Sequence, residues 1–261
     1  MDFTLKKYSE LLNALKDKDY CFITFERHCS DKAALSNSNF VILRHDVDQK
    51  PENALTMAKK ENVLGVKASY YFRAEGRRNN SEIIKAIAEL GHEIGYHYED
   101  MTICKGDAKK AMSHFEEELA CFRQLYPVKT VCMHGAPRSR YDNRELWKRF
   151  DYHQLGVMGE PYFDVDYSKV FYLTDTGRRW DGFRVSLRDK VSVYQEEWVR
   201  QGLVYHSTDD IMKAIGNGSF PKRLMMTTHP QRWTDDRWPW FCELVAQSVK
   251  NMVKWVMVMR G

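Results

Sequence analysis

The sequence predicts an α/β protein whose parallel strands close, or nearly close, into a (β/α) barrel of seven or eight strands. Three observations carry that prediction. Short apolar runs alternate with helix-like stretches of ten or more residues, the pattern of parallel strands joined by crossover helices. Several of these runs end in His- and Asp-bearing segments, and side chains at the carboxyl ends of parallel strands converge on one rim. No glycine-rich phosphate turn follows the first strand and no P-loop or dinucleotide pattern occurs anywhere, which disfavours the alternative of an open doubly wound sheet.

The elements follow in order. A leading amphipathic helix carries Phe3, Tyr8, Leu11, Leu12 and Leu15 on one face. A first strand near Cys21–Phe25 precedes strand Phe40–Leu43, helix Glu52–Asn62, strand Ala68–Phe72, helix Ser81–Leu90, strand Glu93–Tyr98, helix Asp107–Leu125, strand Thr130–Met133 and helix Asn143–Phe150. Pro51 suits a first helical turn, Ser81 and Asp107 are N-cap residues by type, and Gly91 closes the helix before it. In the second half the pattern predicts strands His153–Met158, Val170–Thr174, Leu203–His206 and Leu224–Thr227, with helices near Thr208–Ile215 and Trp238–Met257. Gly159–Tyr167 and Thr176–Arg188 read as long loops of the kind that bind ligands.

At 261 residues and 43% hydrophobic, the chain is long enough for a single domain, 1–261, with a large core. A net charge of +4 with basic and acidic residues interspersed implies neither a nucleic-acid nor a membrane-surface protein. The cysteines at 21, 29, 104, 121, 132 and 242 form no C-x-x-C pair, which fits a reducing compartment. The N-terminus enters an amphipathic helix with no secretory pattern, and no apolar run approaches the ~20 residues of a membrane span. The expected location is cytoplasmic.

Four segments carry the chemistry: Arg44-His45-Asp46-Val47-Asp48, Gly91 to Glu99, His134-Gly135-Ala136-Pro137 and Thr228-His229-Pro230. Asp46 and Asp48 are two apart, so on a strand end both carboxylates face the same way. One can bind a cation while the other serves as general base. His97 and Glu99 share that spacing, whereas His92 falls on the opposite face and is expected to pack or hydrogen-bond.

These segments, in this order, resemble the polysaccharide deacetylases of carbohydrate esterase family 4, the NodB-homology fold, over roughly Phe40 to Trp233 (40–233). The resemblance implies a distorted (β/α) barrel of about seven parallel strands, here with an added N-terminal helix. It implies Asp46 as catalytic base, Asp48 and His97 as metal ligands, Pro137 at the centre of the third motif, Asp175 and Trp180 in the fourth, and His229 as general acid. Two positions depart from the family pattern. The usual second ligand histidine is Met101, and the third-motif arginine that holds the base is Gly135, with Arg44 and Arg138 nearby as substitutes. The third ligand is therefore open among His134, Glu99 and His92, in that order of preference. A histidine would suit a divalent ion such as zinc, and Glu99 a harder cation.

The implied activity is metal-dependent hydrolysis of an N-acetyl group on an amino sugar, with Asp175 supporting His229. Trp180 and Trp233 are expected as sugar platforms and Arg138 as a substrate-binding residue. The expected partner is an N-acetylated sugar or glycan precursor of surface polysaccharide or lipopolysaccharide synthesis. Two other readings use the same residues: a metal-free, inactive homologue that binds sugar or acts in assembly, and a hydrolase of another C–N bond such as a cyclic amide.

Overall fold

The computed structural model describes residues 1–31, 38–77, 80–184, 186 and 188–259. Seven strands form one parallel sheet: β1 Cys21–Ile23, β2 Phe40–Val47, β3 Ser69–Phe72, β4 Glu93–Tyr98, β5 Val131–Met133, β6 Phe171–Thr174 and β7 Arg223–Thr228. Six of them run in the hydrogen-bonded order β5-β4-β3-β2-β7-β6, and β1 pairs with β2 off this path. Followed as a ring, that is the chain order with β7 returning to β2, so the sheet is a distorted (β/α) barrel opened between β5 and β6.

β2 is the centre of the arrangement. All eight of its residues are buried, as the continuous apolar run requires of a strand covered on both faces. It pairs with β7 from Phe40 to His45, and on its other edge with β1 at Phe40–Ile42 and then β3 at Arg44–Val47. The gap beside β5 is bordered by the segment after it, where Thr130 bridges Gly159 and the Met158 N–H donates to the Lys129 carbonyl at 2.7 Å.

Helices cover the outside. Leu5–Lys16 starts at Thr4, whose hydroxyl accepts from the Lys7 N–H at 3.1 Å, and buries Tyr8, Leu11, Leu12 and Leu15. Pro51–Val63, Ser81–Glu89 and Ala108–Arg123 are the crossovers between β2, β3, β4 and β5. Gly95 in β4 is required by close approach, since a Cβ there would sit 2.3 Å from the Tyr71 ring.

Several boundaries differ from the sequence expectation. β1 stops at Ile23, because Thr24 caps a short helix, Phe25–Ser30, by accepting from the Arg27 N–H. Ser81 is the first helical residue and Asn80 holds the N-cap position. Asn143–Lys148 is a 3₁₀ helix. The predicted strand His153–Met158 is instead a 3₁₀ turn, Tyr152–Leu155, ended by Gly156 at φ 66°. Leu203–His206 forms no strand; it follows an unanticipated helix, Ser192–Arg200, and the Leu203 N–H closes that helix onto the Trp198 carbonyl.

Candidate metal centre and its surroundings

The carboxyl ends of β2, β4, β5, β6 and β7 place Asp46, His97, His134, Asp175 and His229 around one rim. A cavity of about 100 Å³ opens there, with Asp46, Asp48, His97, His134 and His229 among the residues lining it. That volume holds a few waters or one small acyl group.

Asp48 is the point of convergence. His97 Nε2 lies 3.5 Å and His134 Nε2 3.6 Å from its Oδ1, and His229 Nε2 lies 4.0 Å from its Oδ2. Each of these imidazoles is oriented from behind by an acceptor on Nδ1: the Cys132 carbonyl at 3.0 Å for His97, Glu99 at 2.8 Å for His134, and Asp175 at 2.6 Å for His229. A carbonyl or carboxylate accepts only, so each Nδ1 carries the hydrogen and each ring directs its Nε2 towards Asp48, free to act as a ligand atom when it carries no proton. Asp48 Oδ1 is itself buried without a hydrogen-bond partner. Lone pairs meeting near one buried oxygen call for positive charge between them, either protons or a cation, and imidazole and carboxylate are donor types that zinc takes. Burial works to raise the Asp48 pKa, and the three imidazoles, when protonated, more than offset it and hold the carboxyl well below the usual range.

Among the described residues, the donor set whose ligand atoms all lie within 4.8 Å of one another is a different one, Asp46, His97 and Cys132. It is the poorer site. Burial pushes the Cys132 thiol up, so it stays protonated, and both Asp46 oxygens are already held by Arg44, Nε to Oδ1 at 2.8 Å and Nη2 to Oδ2 at 2.6 Å. Of the two arginines expected to substitute for Gly135, it is Arg44 that holds Asp46. Met101, on the short helix Asp100–Ile103, lies outside the cavity lining, and His134 on the neighbouring strand end supplies an imidazole instead.

His229 and Asp175 form the predicted hydrogen bond, and the His229 N–H also donates to Asp175 at 3.0 Å. Arg232 at 2.5 Å and the Trp233 indole N–H at 2.8 Å complete the carboxylate's partners. Burial would raise the Asp175 pKa, but Arg232 and His229 outweigh it and hold the carboxyl below its ordinary value.

Three substrate-binding expectations are corrected. Trp180 is buried, donates to Thr208 at 2.8 Å and packs on Phe3 and Trp233. Trp233 is fully buried and serves Asp175, so neither ring is open to a sugar. Arg138 is exposed and outside the cavity lining, where Arg188 stands instead. The Arg188 guanidinium donates to the Gly135, Ala136 and Ser139 carbonyls at 2.8–3.0 Å and so holds Ala136 at φ 37°, a conformation a non-glycine residue rarely adopts. Of the other ligand alternatives, Glu99 is tied to Arg73 and His134, and His92 packs in the core with Nε2 3.1 Å from the Ala58 carbonyl.

Sequence reasoning missed Asp189, which accepts hydroxyls from Tyr162 and Thr174 at 3.0 Å and from Tyr172 and Thr176. Tyr162 and Thr176 lie in the two loops singled out for ligand binding, but Asp189 belongs to no motif.

No protein-family model and no curated protein matches the chain. Among solved structures it is similar to a family 4 carbohydrate esterase pseudoenzyme, BA3943 from Bacillus anthracis, at 12% identity and TM-score 0.46, covering 84% of this chain and 62% of that one. It is similar also to the Bc1960 peptidoglycan N-acetylglucosamine deacetylase, at 16% identity and TM-score 0.43 over 86% and 83% of the two chains. A family 4 carbohydrate esterase from Streptomyces lividans gives 13% identity and TM-score 0.39 over 84% and 90%. The chain thus spans under two thirds of the length of the first of these. Its functional reading rests on its own side chains.

Proposed function

We propose that the chain is a metal-dependent hydrolase that removes the N-acetyl group from an amino sugar, and that the sugar belongs to a glycan precursor. The observation that carries this reading is the approach of two oriented imidazoles, His97 and His134, to the buried, unpartnered Oδ1 of Asp48, with His229 4.0 Å from its other oxygen and a second carboxylate held by Arg44 nearby. Asp48, His97 and His134 would hold a divalent ion such as zinc, which when bound polarises an acyl carbonyl and acidifies water.

The chain's own residues do the rest. Asp46, kept in place by the two Arg44 hydrogen bonds, takes the proton of the attacking water. His229 gives a proton from Nε2 to the departing amine, and Asp175, held by Arg232 and Trp233, stabilises the imidazolium that must form first. The turn at Gly135–Ala136, fixed by Arg188, borders the cavity where negative charge would develop on the acyl oxygen. The cavity's volume suits an acetamido group, with the sugar ring outside it.

Acetate release from N-acetylglucosamine oligomers tests this. The zinc-loaded wild type should release acetate, and Asp46→Asn should lower the rate by about 10²–10⁴ while leaving metal content unchanged. Sugar binding without acetate release by either protein would instead support an inactive, sugar-binding homologue.

A further inference from the structure

We infer that the outer face of the C-terminal helix, Arg237–Met259, is a two-fold interface with a second copy of this chain. Among its described side chains only Gln247 is buried. The inner face is anchored: the Trp240 indole donates to the Asp2 carbonyl at 2.7 Å, Arg178 donates to the Trp240 carbonyl at 3.1 Å, and Asn251 donates to the Gly177 carbonyl at 2.7 Å. The opposite face carries Trp238, Phe241, Val245, Val249 and Met252, exposed by 73, 51, 47, 53 and 65%. These form one contiguous apolar stripe, and on a monomer such a stripe on the order of several hundred Å² marks an interaction surface.

The spacing of the stripe selects the occupant. Its steps are three, four, four and three residues, a mean of 3.5, which is the period of a helix seam that packs against another helix. The steps read the same in both directions. An antiparallel pair about a two-fold axis at Val245 therefore sets Val245 against the partner's Val245, Phe241 against the partner's Val249 and Trp238 against the partner's Met252. Each large side chain meets a smaller or more adaptable one, and every contact is made twice, as a two-fold interface requires. A membrane surface fits less well. Of the described charged residues on the helix only Arg237 borders the stripe, because Glu243 and Lys250 lie roughly 140–160° round the helix from its centre.

Light scattering after size exclusion, with the full chain at roughly 10 μM, reads the outcome. The wild type should have twice the 30.8 kDa chain mass. Phe241→Glu and Val245→Glu should be monomers with near-unchanged melting, their dissociation constants raised about 30-fold or more. Lys250→Glu should remain a dimer. With Cys242→Ser as background, Val245→Cys should form a symmetric disulfide under mild oxidation, since two residues on the axis of packed helices lie within bridging range. A monomeric wild type, including one that instead sediments with anionic vesicles, overturns the inference. So does a dimer that both glutamate variants leave intact.

Discussion

At the scale of single residues, the cavity is built from pairs in which one partner points inward and the other fixes it from behind. Arg44 serves Asp46, Glu99 serves His134, and Asp175 serves His229. The inward members were legible in the sequence because they end strands and because their types are those of acid–base and metal chemistry. The partners were less so. Arg44 could be weighed because it lies two residues from Asp46, whereas Asp189 gathers four hydroxyls from across the barrel and no local pattern announces it. The tryptophans misled for a related reason, since an indole beside a motif residue can serve as a platform or as a buried donor and only packing decides. Trp233 is the donor. Trp233→Phe keeps the ring in the core but deletes the 2.8 Å hydrogen bond to the buried Asp175 carboxylate. We expect a loss of about 1.5–3 kcal/mol in chemical denaturation, the scale of a hydrogen bond to a charged group. A change below ~0.5 kcal/mol would show that Arg232 and the His229 backbone suffice.

At the scale of elements, continuous apolar runs made β2 and β7 readable, because strands buried on both faces need no alternation. The second half was harder. There, turns with glycine at positive φ stop short apolar stretches from extending, as at Gly156 and Gly202. The elements are tied beneath the site by a buried polar cluster that the chemistry does not use. Glu61, on the helix Pro51–Val63, accepts from Tyr8 at 2.5 Å and Tyr70 at 2.8 Å and lies 2.8 Å from His45. His45 in turn meets Thr228 at 2.6 Å, so helix Leu5–Lys16, helix Pro51–Val63, β2, β3 and β7 share one network. Burial would raise the Glu61 pKa, but His45, His92 and Tyr8 outweigh it and lower it, while burial lowers that of His92. In both cases the unfolded chain binds more protons than the folded one. The contribution of this cluster to stability should therefore fall as pH drops below about 6.5, where an unfolded histidine begins to titrate, and further below about 4.3, where unfolded carboxylates do. Glu61→Gln should cost about 3 kcal/mol or more at pH 7 and flatten the acid limb of a stability–pH curve. Parallel curves for the two proteins would contradict this role.

At the scale of the whole molecule, the opening between β5 and β6 matters because the loops that line the cavity follow the two strands beside it, Tyr162 after β5 and Thr176 and Arg188 after β6. Alternation of strands and helices was enough to predict a barrel, but its open seam and its central strand depend on long-range pairing that no single window of sequence contains. The same folding brings Asp48, His97 and His134, 86 positions apart at the extremes, within 3.6 Å of a common oxygen. A cation at that point is what the proposed chemistry requires. Metal titration by calorimetry, on wild type beside Asp48→Asn and His134→Ala, reads this most directly. One divalent ion per wild-type chain, with affinity lost in Asp48→Asn and weakened at least ~10-fold in His134→Ala, is the predicted result. Stoichiometric binding that neither substitution disturbs, or no binding by the wild type, would contradict it.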